Sequence, residues 1–247
     1  MELLSILLFV LIGLGTGFFS ALFGIGGGSI RIPLLVLSGM PIVVAFGTNM
    51  FCIPFTSSMG AYVQRKNIIW SVAKVFTLGA VLGIIVATAL VGVFSDGVLA
   101  IVFFVSGILT VLGLYLQELN GRIYKLLRPT KLRLFFGALV TNLVIGLRGG
   151  SGGSLFTPLL RALHVEMHHA IATSLFASIF SSVVAVVFYL FRGDFLLLPA
   201  LIVMVAGVVG SYLGSRVSLH SRSRMLRLGL AVVVVLLSFS VLYGEFW

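Results

Sequence analysis

Apolar runs of about twenty residues, each long enough to cross about 30 Å of hydrocarbon as a helix, follow one another along almost the whole chain. They fall at 3–23, 42–63, 70–93, 97–117, 132–148, 168–191, 195–215 and 226–244. Backbone inside lipid must satisfy its own N–H and C=O groups, so continuous segments of this kind cross as helices. Composition agrees. Of the 247 residues 60% are hydrophobic and 9% charged, whereas a soluble domain carries about a quarter charged residues. The reading is an all-α integral membrane protein of about eight continuous spans, multi-pass in a cell membrane (inner or plasma).

The basic residues cluster between the runs. The 16 Lys and Arg against 6 Asp and Glu give a net charge of +10, which in a soluble protein would suggest nucleic acid. Here the basic residues group as Arg65 and Lys66, as Arg122, Lys125, Arg128, Lys131 and Arg133, and as Arg216, Arg222, Arg224 and Arg227. That is the pattern of cytoplasmic loops, so the bilayer is the expected partner and nucleic acid is not. Cys52 is the only cysteine, which excludes an internal disulfide or a Cys-x-x-Cys pair. The N-terminal run lacks a basic flank, its first charge being Glu2. It reads as a first span and not as a cleaved signal.

Two places break the pattern. "GIGGGSIRIPLL" at 24–35 and "GGSGGSLFTPLL" at 149–160 interrupt apolar sequence with glycine, serine and proline. Sliding the chain by 125 residues superposes them. Gly24, Gly27, Gly28, Ser29, Pro33, Leu34 and Leu35 meet Gly149, Gly152, Gly153, Ser154, Pro158, Leu159 and Leu160, and Ala45, Thr48 and Phe51 meet Ala170, Thr173 and Phe176. Two homologous halves are expected: a first transmembrane repeat over 1–117, a basic cytoplasmic linker over 118–131, and a second repeat over 132–247.

Counting crossings orients the halves. If the linker and the 216–227 arginines both face the cytoplasm, an even number of crossings separates them, yet 132–148, 168–191 and 195–215 supply three. The glycine segment supplies the fourth: four extended residues cover about 12 Å and ten helical ones about 15 Å. Stretches such as 26–39 and 151–164 then cross as an extended piece plus a half-helix. Five passes per half make the repeats inverted, as in many secondary transporters. Parallel repeats with re-entrant loops would leave the 216–227 arginines outside.

A chain that leaves helical geometry in a membrane must line a cavity or be buried in protein. Pro33 and Pro158 suit the first turn of the short helices, where a missing N–H costs nothing. Gly27, Gly28 and Ser29, with Gly152, Gly153 and Ser154, then present free N–H groups and a positive helix end, an anion site without a charged side chain. Thr48, Asn49, Thr173 and Ser174 lie shortly inside the following spans and offer further donors. Arg31 and Arg148 sit near membrane depth, where a charge by default suggests function. Gly13/Gly17, Gly79/Gly83 and Gly210/Gly214 instead read as close-packing pairs.

These twin segments, "GIGGGSIRIPLL" with "AFGTNM" and "GGSGGSLFTPLL" with "AIATSL", resemble the sulfite exporter TauE/SafE family. The likeness extends over nearly the whole chain, including the basic linker and "AGVVGSYLGSRVS". It implies transport, usually outward, of small sulfur-containing anions such as sulfite or organosulfonates. It carries over to Gly26, Gly27, Gly28, Ser29 and Pro33, to Gly152, Gly153, Ser154 and Pro158, and to Thr48, Asn49, Thr173 and Ser174. Arg31 and Arg148 depart from it, standing where the family is more often apolar.

Other chemistries find less support. No acidic residue falls in mid-span, so a carboxylate proton relay has no carrier. His164, His168 and His169 gather at one membrane end, and two histidines at His-x-x-x-His spacing make a weak metal signal. "GGSGG" matches Gly-x-Ser-x-Gly, but Ser151 has Gly26 as its counterpart, so the duplicated property is glycine. The expectation is a secondary transporter of a small anionic substrate and not an enzyme, without cofactor or metal. A passive anion channel is the alternative, and a homodimer is compatible with the sequence.

Overall fold

The computed structural model describes residues 3–90, 93, 96–147, 149–150 and 152–246. Among these residues every regular element is helical. In chain order they are α1 (Leu3–Phe23), α2 (Gly28–Leu37), α3 (Ile42–Val63), a 3₁₀ turn (Arg65–Asn67), α4 (Trp70–Ala89), α5 (Asp96–Leu114) and the short α6 (Leu116–Leu119) and α7 (Gly121–Leu126). There follow α8 (Lys131–Gly146), α9 (Gly153–Ala162), α10 (Met167–Arg192), α11 (Leu197–His220) and α12 (Ser223–Phe246). Five helices, α1, α3, α4, α10 and α11, are long and apolar enough to cross a membrane. Leucine, valine and phenylalanine side chains remain exposed along their outer faces, as a lipid-facing surface requires.

Small residues set the helix pairing. A Cβ on Gly13 would lie 2.5 Å from the Val203 carbonyl oxygen and 2.8 Å from the Ala206 side chain, and Gly17, Gly210 and Gly214 pack just as closely on the backbone across the α1–α11 contact. On the other side of the bundle Gly79 and Gly83 of α4 meet the backbone of Phe135 and Leu139 in α8. Removing Cβ lets the helix axes approach until backbone dispersion replaces side-chain contact.

The pairings also fix direction. Along α1 and α11, Gly13 meets Val203 and Ala206 while Gly214 meets Phe18, so these helices run in parallel. Cys52 faces Ala200, and Gly60 faces Ser215, so α3 shares that direction. Gly79 against Phe135 and Gly146 against Ala87 make α4 and α8 parallel to each other. Gly60 of α3 meets Leu175, near the start of α10, while Phe46 and Met50 cluster with Ala185 and Tyr189 near its end, so α3 and α10 are antiparallel. Since α4 follows α10, with Ile69 beside Thr173 and Trp70 ring-to-ring with Phe176, two sets emerge: α1, α3 and α11 run one way, and α4, α8 and α10 the other.

One end of the bundle therefore collects the ends of α3 and α11 and the starts of α8 and α10, and with them the basic residues. The histidines tie this end together. His169 Nδ1 contacts the Asn67 carbonyl at 2.7 Å, His168 Nε2 the Ser221 carbonyl at 3.1 Å, and His164 Nε2 the Tyr124 carbonyl at 2.6 Å. Three histidines from the α9–α10 junction thus reach three different basic segments. Arg227 donates to Glu118 at 2.6 Å, and this guanidinium holds the Glu118 carboxyl below its ordinary range.

The sequence places Pro33 and Pro158 in the first turn of their helices; the structure corrects this. α2 starts at Gly28 and α9 at Gly153, so each proline is the sixth helical residue. Left-handed Gly27 (φ 80°) and Gly152 (φ 55°) start the helices earlier, and the proline deprives the carbonyl four residues back of its donor. Gly28, Ser29, Gly153 and Ser154 accordingly belong to the half-helices and not to an extended piece.

Close backbone contact makes a testable demand. Gly83→Leu is expected to destabilise the protein by about 1–3 kcal/mol through overpacking. Gly15→Leu, where nothing lies within 4 Å of a Cβ, is expected to leave stability unchanged. Thermal denaturation in detergent compares the two.

Candidate functional site

Both half-helices are entered by the same backbone path. After α1 the Ile25 N–H returns to the Ser20 carbonyl at 3.1 Å, and Gly24, Gly26 and Gly27 take positive φ angles. Ile30 and Arg31 N–H then close on the Gly27 carbonyl at 3.1 and 2.8 Å. After α8 the Gly150 N–H returns to Ile145, Gly149 and Gly152 take positive φ, and Leu155 and Phe156 N–H close on Gly152 at 3.2 and 2.8 Å. Each partner stands 125 residues from its counterpart. Among the described residues the N–H groups of Gly28 and Ser29 form no hydrogen bond, so the start of α2 keeps its positive pole open.

The two breaks touch. A Cβ on Gly28 would lie 3.5 Å from the Gly150 Cα. Each break is also held from the opposite half of the chain. Asn49 Nδ2 donates to the Gly149 carbonyl at 2.8 Å, and Ser174 Oγ donates to the Gly24 carbonyl at 2.5 Å. Thr157 Oγ1 reaches the same Gly24 carbonyl at 3.0 Å. These carbonyls have lost their helical donors, and an unsatisfied one inside a membrane costs several kcal/mol. Asn49 and Ser174, 125 apart, are therefore the reciprocal clasps of the site.

The second member of each polar pair points elsewhere. Thr48 Oγ1 contacts the Met40 sulfur at 3.6 Å, and Thr173 Oγ1 accepts from the Ile69 N–H at 3.3 Å. Gly153 and Ser154 form the first turn of α9. Arg148 and Ser151 lie outside the described residues.

Arg31 is the charged group of the site. It is fully buried. Its Nε donates to Thr16 Oγ1 at 3.2 Å and its Nη1 to Asn49 Oδ1 at 2.9 Å, while Nη2 has no partner among the described residues. Both partners are neutral. The ion pairs among the described residues lie at Glu166, Asp194 and Glu118, so no carboxylate there balances this charge. Ser20 Oγ is likewise buried without a partner. Its Cβ and Arg31 Nη2 flank Gly27, where an added Cβ would sit 3.3 and 3.0 Å from them. Asn49 joins everything: one amide atom holds Arg31 and the other holds the second break.

The counterpart of Arg31 in the second half is Phe156. Its ring packs edge-on to Phe76 with centroids 4.7 Å apart and covers Gly152. One half thus places a guanidinium over its left-handed glycine, and the other an aromatic ring.

Sequence reasoning singles out Arg31 and Asn49 but misses four residues. Thr16 holds Arg31, Ser20 faces Gly27, and Thr157 holds Gly24. Asn142 accepts from the Gly152 N–H at 2.6 Å and donates to the Ala80 carbonyl at 2.7 Å. The available signal was a lone polar residue inside an apolar span, which marks a site by default.

Comparison with known proteins identifies the family. The chain is 25% identical over 269 residues to the probable membrane transporter protein YunE of Bacillus subtilis, covering 97% of this chain and 98% of that protein. It is 27% identical to the probable membrane transporter protein MJ0441 of Methanocaldococcus jannaschii, covering 94% and 93%. It is 28% identical to the probable membrane transporter protein YdhB of Bacillus subtilis, covering 87% and 89%. No solved structure matches significantly. The family model for the sulfite exporter TauE/SafE matches residues 9–241, and the chain therefore belongs to the TauE/SafE family of membrane transporters.

Proposed function

We propose that this protein is a secondary transporter, working outward, of a small sulfur-containing oxyanion such as sulfite or an organosulfonate. Two inverted halves alternate access to a site at their touching glycine breaks. The carrying observation is Arg31: a fully buried guanidinium with neutral partners and an unoccupied Nη2. On insertion scales a cation at mid-membrane costs about 2.5–3.5 kcal/mol. An oxyanion at Nη2 would offset that cost, and its oxygens would also accept from Ser20 Oγ and the N–H groups at the start of α2. The opposed helix directions support inversion, since α1, α3 and α4 each run against α8, α10 and α11 in turn. The basic end is assigned to the cytoplasm by the positive-inside rule.

Within this reading Gly26, Gly27, Gly28, Ser29 and Arg31 form one wall of the site, with Gly152, Gly153 and Ser154 opposite. Arg148 is proposed as a second cation near the second break. Asn49 and Ser174 act by positioning, because their donors are spent on Gly149 and Gly24. Thr48 and Thr173 stiffen the same helices. A serine hydrolase is disfavoured because His164, His168 and His169 are engaged with carbonyls at the basic end.

Proteoliposome flux tests the reading. Saturable, trans-accelerated uptake of labelled sulfite or methanesulfonate is expected, with none of rubidium; saturable rubidium uptake alone would overturn it. Arg31→Gln should lower anion kcat/KM by about ten- to a hundredfold, the worth of a charge-assisted hydrogen bond of about 1.5–3 kcal/mol. Arg31→Lys should recover part of the loss, since it keeps the charge without the planar fork. Asn49→Ala unpairs both Arg31 Nη1 and the Gly149 carbonyl, and a melting experiment should show a loss of at least about 1–3 kcal/mol.

A further inference from the structure

Among the described residues ten buried side-chain polar atoms have no hydrogen-bond partner, and five of them fall in one row. These are Arg31 Nη2, Ser20 Oγ, Gln64 Oε1, Ser215 Oγ and Ser218 Oγ. All five belong to residues no more than 1% exposed, and they lie on α1, α2, the C-terminal cap of α3 and α11.

Contacts place them in order. Gly207 is the level of Arg31: a Cβ there would be 3.9 Å from Nη2 and 2.9 Å from Thr56 Cγ2. One turn on, Ser211 Oγ donates to the Thr56 carbonyl at 2.6 Å. A Cβ on Gly60 would lie 3.3 Å from both Ser211 Oγ and Ser215 Oγ. Gln64 Nε2 is held by the Ala21 carbonyl at 3.0 Å, leaving its Oε1 open, and Ser218 lies near the end of α11. The row runs from the buried guanidinium to the basic end, where Arg65 and Lys66 stand on the 3₁₀ turn after α3 and Arg216 on α11.

The equivalent row in the other half is mainly apolar. Gly83 packs on Leu139 as Gly210 packs on Leu14, which matches Ser211 with Ile84 and Ser215 with Thr88. Ser20, Gly60 and Gln64 correspond to Ile145, Ala185 and Tyr189. Ile84, Ala185 and Tyr189 belong to one cluster with Phe46, Met50, Ile53, Ala87 and Leu147, and the Thr88 hydroxyl is bound to its own helix at the Ile84 carbonyl, 2.6 Å away. At these five positions the Tyr189 hydroxyl is the one buried polar atom without a partner among the described residues, against Ser20, Gln64 and Ser215 in the first row.

We infer that the seam between α1, α3 and α11, lined by Ser20, Gly60, Gln64, Ser215 and Ser218, is the route by which an oxyanion passes between Arg31 and the cytoplasm. This rests on the anion-transport reading. Hydroxyls exchange hydrogen bonds with an anion or its water without adding charge, so each step is bound weakly enough to be left again, the requirement for conduction through a narrow path. The cationic mouth raises local anion concentration, and Arg31 terminates the path. The mainly apolar counterpart around Ile84 and Ala185 is the barrier to the opposite side.

Cysteine labelling tests the route. In a Cys52→Ala background, Ser215→Cys, Ser218→Cys and Ser20→Cys are compared with Thr88→Cys and Ile84→Cys in inside-out vesicles. The reagent is 2-sulfonatoethyl methanethiosulfonate, itself a sulfonate, and each variant is first assayed for methanesulfonate flux so that only folded, active protein is scored. The seam cysteines should label from the cytoplasmic face, and methanesulfonate at ten times its Kd should slow labelling about tenfold. Thr88→Cys and Ile84→Cys should stay unlabelled. Active vesicles whose seam cysteines do not label, or label no faster than Ile84→Cys, would overturn the route while leaving anion transport standing. Parent vesicles without flux of any anion would instead overturn the transport reading.

Discussion

α1 and α8 each end at a glycine-rich break, and the backbone groups released there must be satisfied by the rest of the chain. Asn49 is where that constraint is met. Its Nδ2 supplies the Gly149 carbonyl and its Oδ1 takes a proton donor from Arg31, so one amide holds the opposite break and aims the only buried cation among the described residues. Ser174 makes the reciprocal bond to Gly24. Neither break could persist without the other half, because each is completed by a donor 125 residues from its counterpart. In the proposed transport cycle the site lies at this contact and moves with it, as alternating access requires.

Around this clasp the two halves divide the work. Glycine pairs draw α1 onto α11 and α4 onto α8, giving two rigid seams of similar geometry. Chemistry then separates them. Arg31, Ser20 and the serines of α11 line one seam, while Phe156, Ile84 and Ala185 fill most of the other. Two positions 125 residues apart lie over left-handed glycines, and this chain fills one with a guanidinium and the other with a phenyl ring. In the proposed function, recognition falls to the half that carries the guanidinium.

Much of the architecture is legible in the residues. The apolar runs locate the long helices because lipid leaves few alternatives to a helix. The 125-residue offset recurs in the starts of α2 and α9 and in the sign of φ at Gly24, Gly27, Gly149 and Gly152. The proline positions misled, since proline suits a first turn, while here a left-handed glycine sets the helix start and proline is carried inside. The roles of Thr48 and Asn49 could not be separated by spacing: adjacent helical residues point about 100° apart, and only the packing shows that Asn49 faces the break. Asn142 and Ser20 escaped notice because their partners, a backbone N–H and a left-handed glycine, carry no side-chain signature.

The central claim is that Arg31 holds an oxyanion at the glycine break, and ligand-dependent melting of the purified protein tests it most directly. Methanesulfonate or sulfite should raise the melting temperature of the parent protein in proportion to the logarithm of concentration above Kd, and Arg31→Gln should need about ten- to a hundredfold more of the anion for the same rise. Equal stabilisation of both proteins would place the anion elsewhere and contradict the account.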